Sequence, residues 1–374
     1  MQKGLSLTEL AARIEGLKTE KKDFIADTSA VTMLDGTATG SAPKLAVAGQ
    51  GEFPIRPLAH NQIAGRLGIP SKYYDRMLAE QPTLLANNVN TWFHANPEKR
   101  MIRTLKAETR AFLSNRYQRI ENEEIAQVAL PILLNIPEVK IVSCEVTERR
   151  MYIQAVSPRV EGEVKRGDVV QAGVVISNSE IGFGAVSVSP MIYRLVCLNG
   201  MIAPDGKYRA YHVGRQVEDN AALWAQDTQQ ADDRAVLLKV RDMVTAAVDA
   251  VRFSERVAKM AGLTDIKIGA NPAAAIEVLG QKIGATQDET GGILKALIEG
   301  GDLSAWGVLN AVTAQAHTAK SYDRAVEFEA AGGQLLEFKP AEWREVLDAS
   351  VASKRRRSAA TVIDATFTEV SQAA

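Results

Sequence analysis

Leu10, Ile14 and Leu17 recur at helical spacing behind a Ser6 or Thr8 cap, which predicts a short amphipathic helix at the start of the chain. Residues 27–51 show little periodicity and read as loop or weak hairpin. Residues 57–80 carry two helical runs broken at Gly68-Ile69-Pro70, because a proline disfavours α backbone in the residue before it. Residues 82–93 give a further helix, and then the period changes. Residues 103–117 read as strand, turn and strand, 121–134 as a helix, and 139–156 as two strands. Residues 169–176 and 184–188 look like another pair around a Gly182-Phe183-Gly184 turn. Ser189-Pro190 has the form of a helix start, with Gly200 at the far end. Beyond a polar link over 206–227, residues 232–260 form one long heptad-like stretch, and 292–301, 304–319 and 341–349 are shorter helical runs.

Strands that follow one another at hairpin distance pair antiparallel, since parallel pairing needs a long crossover each time. The expected fold is therefore α+β: a central antiparallel sheet flanked by helices, with a mainly helical C-terminal region. Four regions are expected: helix and loop over 1–98, sheet core with helices over 99–215, helices over 228–350, and a disordered tail over 351–374. A length of 374 residues agrees with more than one domain, and a hydrophobic share of 46% excludes wholesale disorder. Cys144 and Cys197 are the only cysteines, too few for a disulfide framework, so a reducing, cytoplasmic setting is expected. No window approaches the roughly 18 apolar residues needed to cross a bilayer, and no membrane partner is expected.

Charge changes the picture in one place. The chain as a whole carries a net charge of -1, so a polyanion site must be local. Between Lys99 and Arg119 seven cations, Lys99, Arg100, Arg103, Lys106, Arg110, Arg116 and Arg119, stand against Glu108 alone. Such a concentration suits a phosphate backbone, and Phe112 and Tyr117 within it are candidate rings for base stacking. Arg149, Arg150 and Tyr152 form a smaller version, in which strand alternation puts Arg150 and Tyr152 on one face. The competing reading in both places is a salt-bridged sheet face with its aromatic rings in the core.

Other constellations carry less. His60, His94, His212 and His317 lack ligand spacing, and no metal or other cofactor is expected. Gly182-Phe183-Gly184 is followed by no Gly-Lys-Ser/Thr, so it reads as a hairpin turn rather than a triphosphate loop. Trp306, Asn310, Thr313 and His317 form a stripe at helical spacing, expected as a packing seam with buried hydrogen bonds. Asp168, Glu145 and Glu180 are the carboxylates that a divalent-ion enzyme would use.

The segments Ala111-Phe112-Leu113-Ser114-Asn115-Arg116-Tyr117, Ser143-Cys144-Glu145-Val146-Thr147-Glu148-Arg149, Gly167-Asp168-Val169-Val170-Gln171-Ala172-Gly173, Ser177-Asn178-Ser179-Glu180 and Tyr193-Arg194-Leu195-Val196-Cys197-Leu198-Asn199-Gly200 together resemble a phage- and plasmid-borne family, domain of unknown function 932. The resemblance runs from about Lys22 to Trp343, implies a mobile-element setting, and supplies no catalytic residues. The order of hairpins and helix is also similar in outline to the single-strand annealing proteins of phages. The expectation is a self-associating protein that binds single-stranded DNA, with annealing as an associated activity. Its alternatives are a divalent-metal-dependent nucleic-acid enzyme and a protein-interaction module directed against host defence.

Overall fold

The computed structural model describes residues 1–117, 119–210 and 226–356. Helix α1 (Leu7–Lys18) starts at Ser6, whose hydroxyl accepts from the Glu9 N–H while Glu9 accepts from the Ser6 N–H, a capping box. Strand β1 (Lys21–Asp27) is followed by an antiparallel meander, β2 (Val31–Leu34), β3 (Lys44–Val47) and β4 (Gly51–Pro54), where the sequence suggested no more than a weak hairpin. Three helices follow, α2 (Pro57–Leu67), α3 (Ser71–Glu80) and α4 (Pro82–Ala95). The first and third open on a proline, whose fixed φ suits a helix start and whose missing N–H is not needed there. Strands β5 (Lys99–Leu105) and β6 (Glu108–Ser114) then return to β1 in the order β1-β5-β6. Tyr74, Leu85, Phe93, Ile102 and Phe112 knit these helices and both small sheets into one apolar core.

Helix α5 (Asn122–Asn135) leads into the principal sheet, formed by β7 (Lys140–Val146), β8 (Met151–Glu163), β9 (Val169–Asn178), β10 (Val186–Arg194), β11 (Asn199–Ile202) and β12 (Tyr208–Ala210). Its order is β11-β10-β9-β8-β7, with β12 pairing a second stretch of β10, and every neighbour is antiparallel. One face, including Ile153, Val174, Ile176 and Val188, is covered by α1, α5 and α6 (Gln226–Ala247). The C-terminal helices are α7 (Ala250–Leu263), α8 (Pro272–Lys282), α9 (Gln287–Gly300), α10 (Ala305–Ala314), α11 (Tyr322–Leu336) and α12 (Pro340–Arg356). They pack around Trp306, Phe328 and Trp343 and onto Val170, Ala172, Ile192 and Met201 of the sheet. The opposite face, with Val156, Val175 and Met191, packs against Val326 and Ala330 of α11, so helices lie on both faces and the sheet strands read as nearly continuous buried runs rather than clean alternation. The fold is α+β, with antiparallel sheets and a helical C-terminal region.

The structure corrects the reading of Ser189-Pro190 as a helix start. Both belong to β10, and Pro190 sits between the stretch paired with β12 and the stretch paired with β11, where its missing N–H leaves no gap in a ladder. The long stretch at 232–260 is two helices, separated at Asp249, whose side chain caps the second. Most of the 206–227 link and all of the tail beyond 356 lie outside the described residues, while residues 351–356 complete α12.

Candidate functional site

The basic segment does not form the single exposed groove that its composition suggests. Lys99 is exposed, Lys106 is exposed with its ammonium 3.5 Å from Glu20, and Arg119 is exposed 3.7 Å from Asp23. Arg116 is exposed and Arg100 is half-buried, its guanidinium 5.1 Å from the Phe112 ring centre. Arg103 and Arg110, in contrast, are buried. The three candidate stacking rings are buried too. Phe112 stacks on Phe93 at 5.4 Å in the N-terminal core, Tyr117 donates its hydroxyl to the Ser179 carbonyl at 3.0 Å, and Tyr152 donates to Asp323 at 2.8 Å. These rings stabilise the fold and are not platforms for a base. The reason is that helices cover the sheet faces, so alternation along a strand turns a side chain from one core to another.

Arg103 and Arg110 instead build an internal ion cluster. Arg103 bridges Asp23, Glu121 and the Glu180 carbonyl, and Arg110 donates through Nη1 to Glu180 at 2.8 Å. Lys21 reaches Glu180 at 2.6 Å and Glu121 at 3.1 Å, and the Asn122 N–H at the start of α5 also donates to Glu180. Burial by itself raises the Glu180 carboxyl, but Lys21 and Arg110 outweigh it and hold Glu180 well below the usual carboxylate range. Glu121, next to that anion, is pushed up by burial and by Glu180 against the pull of Arg103 and Lys21. Arg110 reaches this position through a β-bulge: Arg103 lies opposite Ala111 and Thr104 opposite Thr109, so Arg110 has no cross-strand partner and its side chain is re-aimed.

That side chain forms part of the wall of a cleft of about 400 Å³ between α1, β6 and the turn joining β7 to β8. Arg13, Arg56, Arg110, Arg149 and Arg150 line it, against the carboxylates of Glu148 and Glu180. Arg56 is held by Glu108, whereas Arg13, Arg149 and Arg150 have no carboxylate partner among the described residues. The turn is shaped by Thr147, whose N–H donates to the Arg150 carbonyl and whose hydroxyl accepts from the Arg149 and Arg150 N–H groups. Arg149 then lies 4.6 Å from the centre of the Phe183 ring, and Arg150 Nη2 donates to the Phe183 carbonyl at 2.6 Å. Phe183 is 40% exposed. An exposed ring with a guanidinium on one face beside an anion-attracting cleft is what stacking with charge neutralisation needs.

Sequence reading reached Arg149 and Arg150 but not Arg13, Arg56 or Phe183 as members of one site. Arg13 and Arg56 are isolated cations in the chain, and only the packing of α1 and α2 against the strands brings them in. Asp168, Glu145 and Glu180 are not brought together: Asp168 is held by Arg194 at 2.6 Å and by the Trp306 indole at 2.9 Å, while Glu180 belongs to the ion cluster. No group of three or more potential metal ligands occurs among the described residues. The stripe from Trp306 to His317 is buried at Trp306 and Thr313, half-buried at Asn310 and exposed at His317, with Asn310 donating to the Trp306 carbonyl and His317 2.6 Å from Asn199. Cys144 is fully buried and its thiol is pushed up to about 12 by burial.

The model of a protein family described as "Domain of unknown function (DUF932)" matches residues 111–335, more than half of the chain. No curated protein and no solved structure matches.

Proposed function

Because the chain belongs to the family described as Domain of unknown function (DUF932), a description that assigns no activity, we propose from the site itself that it binds single-stranded nucleic acid. In this reading Arg13, Arg149 and Arg150 neutralise backbone phosphates, and a splayed base stacks on Phe183. The observation that carries it is the cleft of about 400 Å³ whose arginines outnumber its carboxylates, two of them, Arg149 and Arg150, also holding the half-exposed Phe183. A duplex keeps its bases stacked on one another, so an isolated ring favours a single strand. The cytoplasm of a cell carrying a mobile element, self-association and strand annealing are finer parts of the same proposal. Among the described residues no helix is long and apolar enough to cross a membrane, so no such helix competes with a nucleic-acid partner.

Fluorescence anisotropy with labelled single-stranded and duplex oligonucleotides tests the proposal. Single strands are expected to bind the tighter, and Phe183→Ala is expected to weaken them about tenfold, in line with roughly 1 to 3 kcal/mol per stacked base. Equal affinity for both forms, untouched by Phe183→Ala, contradicts it.

A further inference from the structure

Arg110 is 7% exposed, and neither its Nε nor its Nη2 has a hydrogen-bond partner. A buried charged donor left unsatisfied costs several times a normal hydrogen bond, so such groups in a folded protein call for an explanation. The two orphan nitrogens are not scattered around the guanidinium. Nε and Nη2 together form one edge of it, the fork that receives two oxygens of an oxyanion in parallel. The remaining nitrogen, Nη1, is fixed by Glu180, which is itself held by Lys21 and the Asn122 N–H. The guanidinium therefore stands in the wall of the cleft that Arg13, Arg149, Arg150 and Glu180 also line, with Nη1 held by Glu180 and an unpaired Nε–Nη2 edge that has almost no accessible surface, so an entering anion reaches it only by parting the cleft wall.

We infer that this part of the cleft receives a terminal phosphate monoester, the phosphorylated end of the strand, on the free edge of Arg110. The inference rests on the single-strand reading above and specifies which part of the strand reaches furthest in. An internal phosphodiester has two oxygens committed to the chain, leaving two free oxygens that share one negative charge, and both flanking nucleotides must leave the site. A terminal monoester offers three free oxygens and, above its second ionisation near pH 6, close to two negative charges. Only an end can place a phosphate against a residue this buried without threading the chain past it. Two charges also match the surroundings: Glu180 already engages Lys21 and one nitrogen of Arg110, while Arg13, Arg149 and Arg150 bring no carboxylate partners of their own among the described residues.

The test compares one internally labelled single strand bearing a 5′-phosphate, a 3′-phosphate or only hydroxyl ends, by anisotropy, on the full chain and on Arg110→Lys. One phosphorylated form is expected to bind about tenfold tighter than the hydroxyl form, the change a bidentate charge-assisted contact of roughly 1.4 kcal/mol produces. That ratio should grow as pH rises from about 5 to about 7 with the second phosphate ionisation, and should collapse toward one in Arg110→Lys, which keeps the charge but loses the fork. Equal affinities for all three strands overturn the inference while leaving single-strand binding intact, and the wild-type comparison decides this even where the variant fails to fold. Inorganic phosphate binding as tightly as the phosphorylated strand also overturns it, making the feature a free-phosphate pocket. Binding by none of the strands removes the underlying reading as well.

Discussion

Phe112 illustrates how a side chain's surroundings set its role. It is 1% exposed, stacked on Phe93 and covered by Arg100, so truncation opens a cavity rather than removing a platform. Phe112→Ala is expected to destabilise the protein by about 3–5 kcal/mol in denaturant unfolding, with oligonucleotide affinity per folded molecule unchanged. Glu329 gives a second prediction at this scale. It lies 1% exposed on α11 with Gln154 donating to it at 2.7 Å, and burial pushes its carboxyl from 4.5 up to about 7. The folded state thus holds a proton that the unfolded state has already released, so this residue's contribution to stability falls as pH rises from about 4.5 to about 7. Glu329→Gln is expected to abolish that slope, a difference on the order of 3 kcal/mol at pH 7.5, measured by unfolding across pH; an unchanged pH profile counts against the buried acid. The basic composition of the segment from Lys99 to Arg119 was legible, but the partners of its arginines were not. Arg103 and Arg110 find Asp23, Glu121 and Glu180 at separations of 80, 18 and 70 residues, and no local pattern announces such pairings.

At the level of elements, prolines, caps and period made several pieces readable: the first capped helix, the break at Gly68-Ile69-Pro70, and the strand pair that contains Cys144. Helix α11 was missed because Gly332-Gly333 in its last third weakens the helical signal. The structure supplies their reason: a Cβ at Gly333 would come 1.8 Å from the Ile202 carbonyl oxygen, so glycine lets the helix lie directly on β11. The turn before β10 meets the cleft through Arg149 and Arg150. Gly184 has φ 145°, and a Cβ there would lie 1.9 Å from Arg150 Nη2. Gly184→Ala is expected to cost about 1–3 kcal/mol in backbone strain and to push Arg150 off the Phe183 carbonyl. Oligonucleotide affinity should then fall several-fold, whereas wild-type affinity in a folded Gly184→Ala protein would detach this turn from the site.

For the whole molecule, the decisive feature is that helices cover the principal sheet on both faces, on one against Val170, Ala172, Val174 and Ile176 and on the other, through α11, against Val175 and Met191, leaving chemistry to its edges and turns. The cleft forms where α1, β6 and the turn from β7 to β8 converge, so its arginines come from sequence positions as distant as Arg13 and Arg150. An α+β architecture was readable because strand and helix periods are local properties. The meeting of those edges was not, since it depends on how the layers dock. We propose that this convergence holds the phosphates of a single strand. It is tested most directly by the salt dependence of oligonucleotide affinity in the wild type and in the Arg13→Ala, Arg149→Ala, Arg150→Ala triple variant. Each lost phosphate contact should flatten the log–log slope by about 0.7, so the variant is predicted to bind at least tenfold more weakly with a slope shallower by about 2. A variant that matches the wild type in both affinity and slope would contradict the claim.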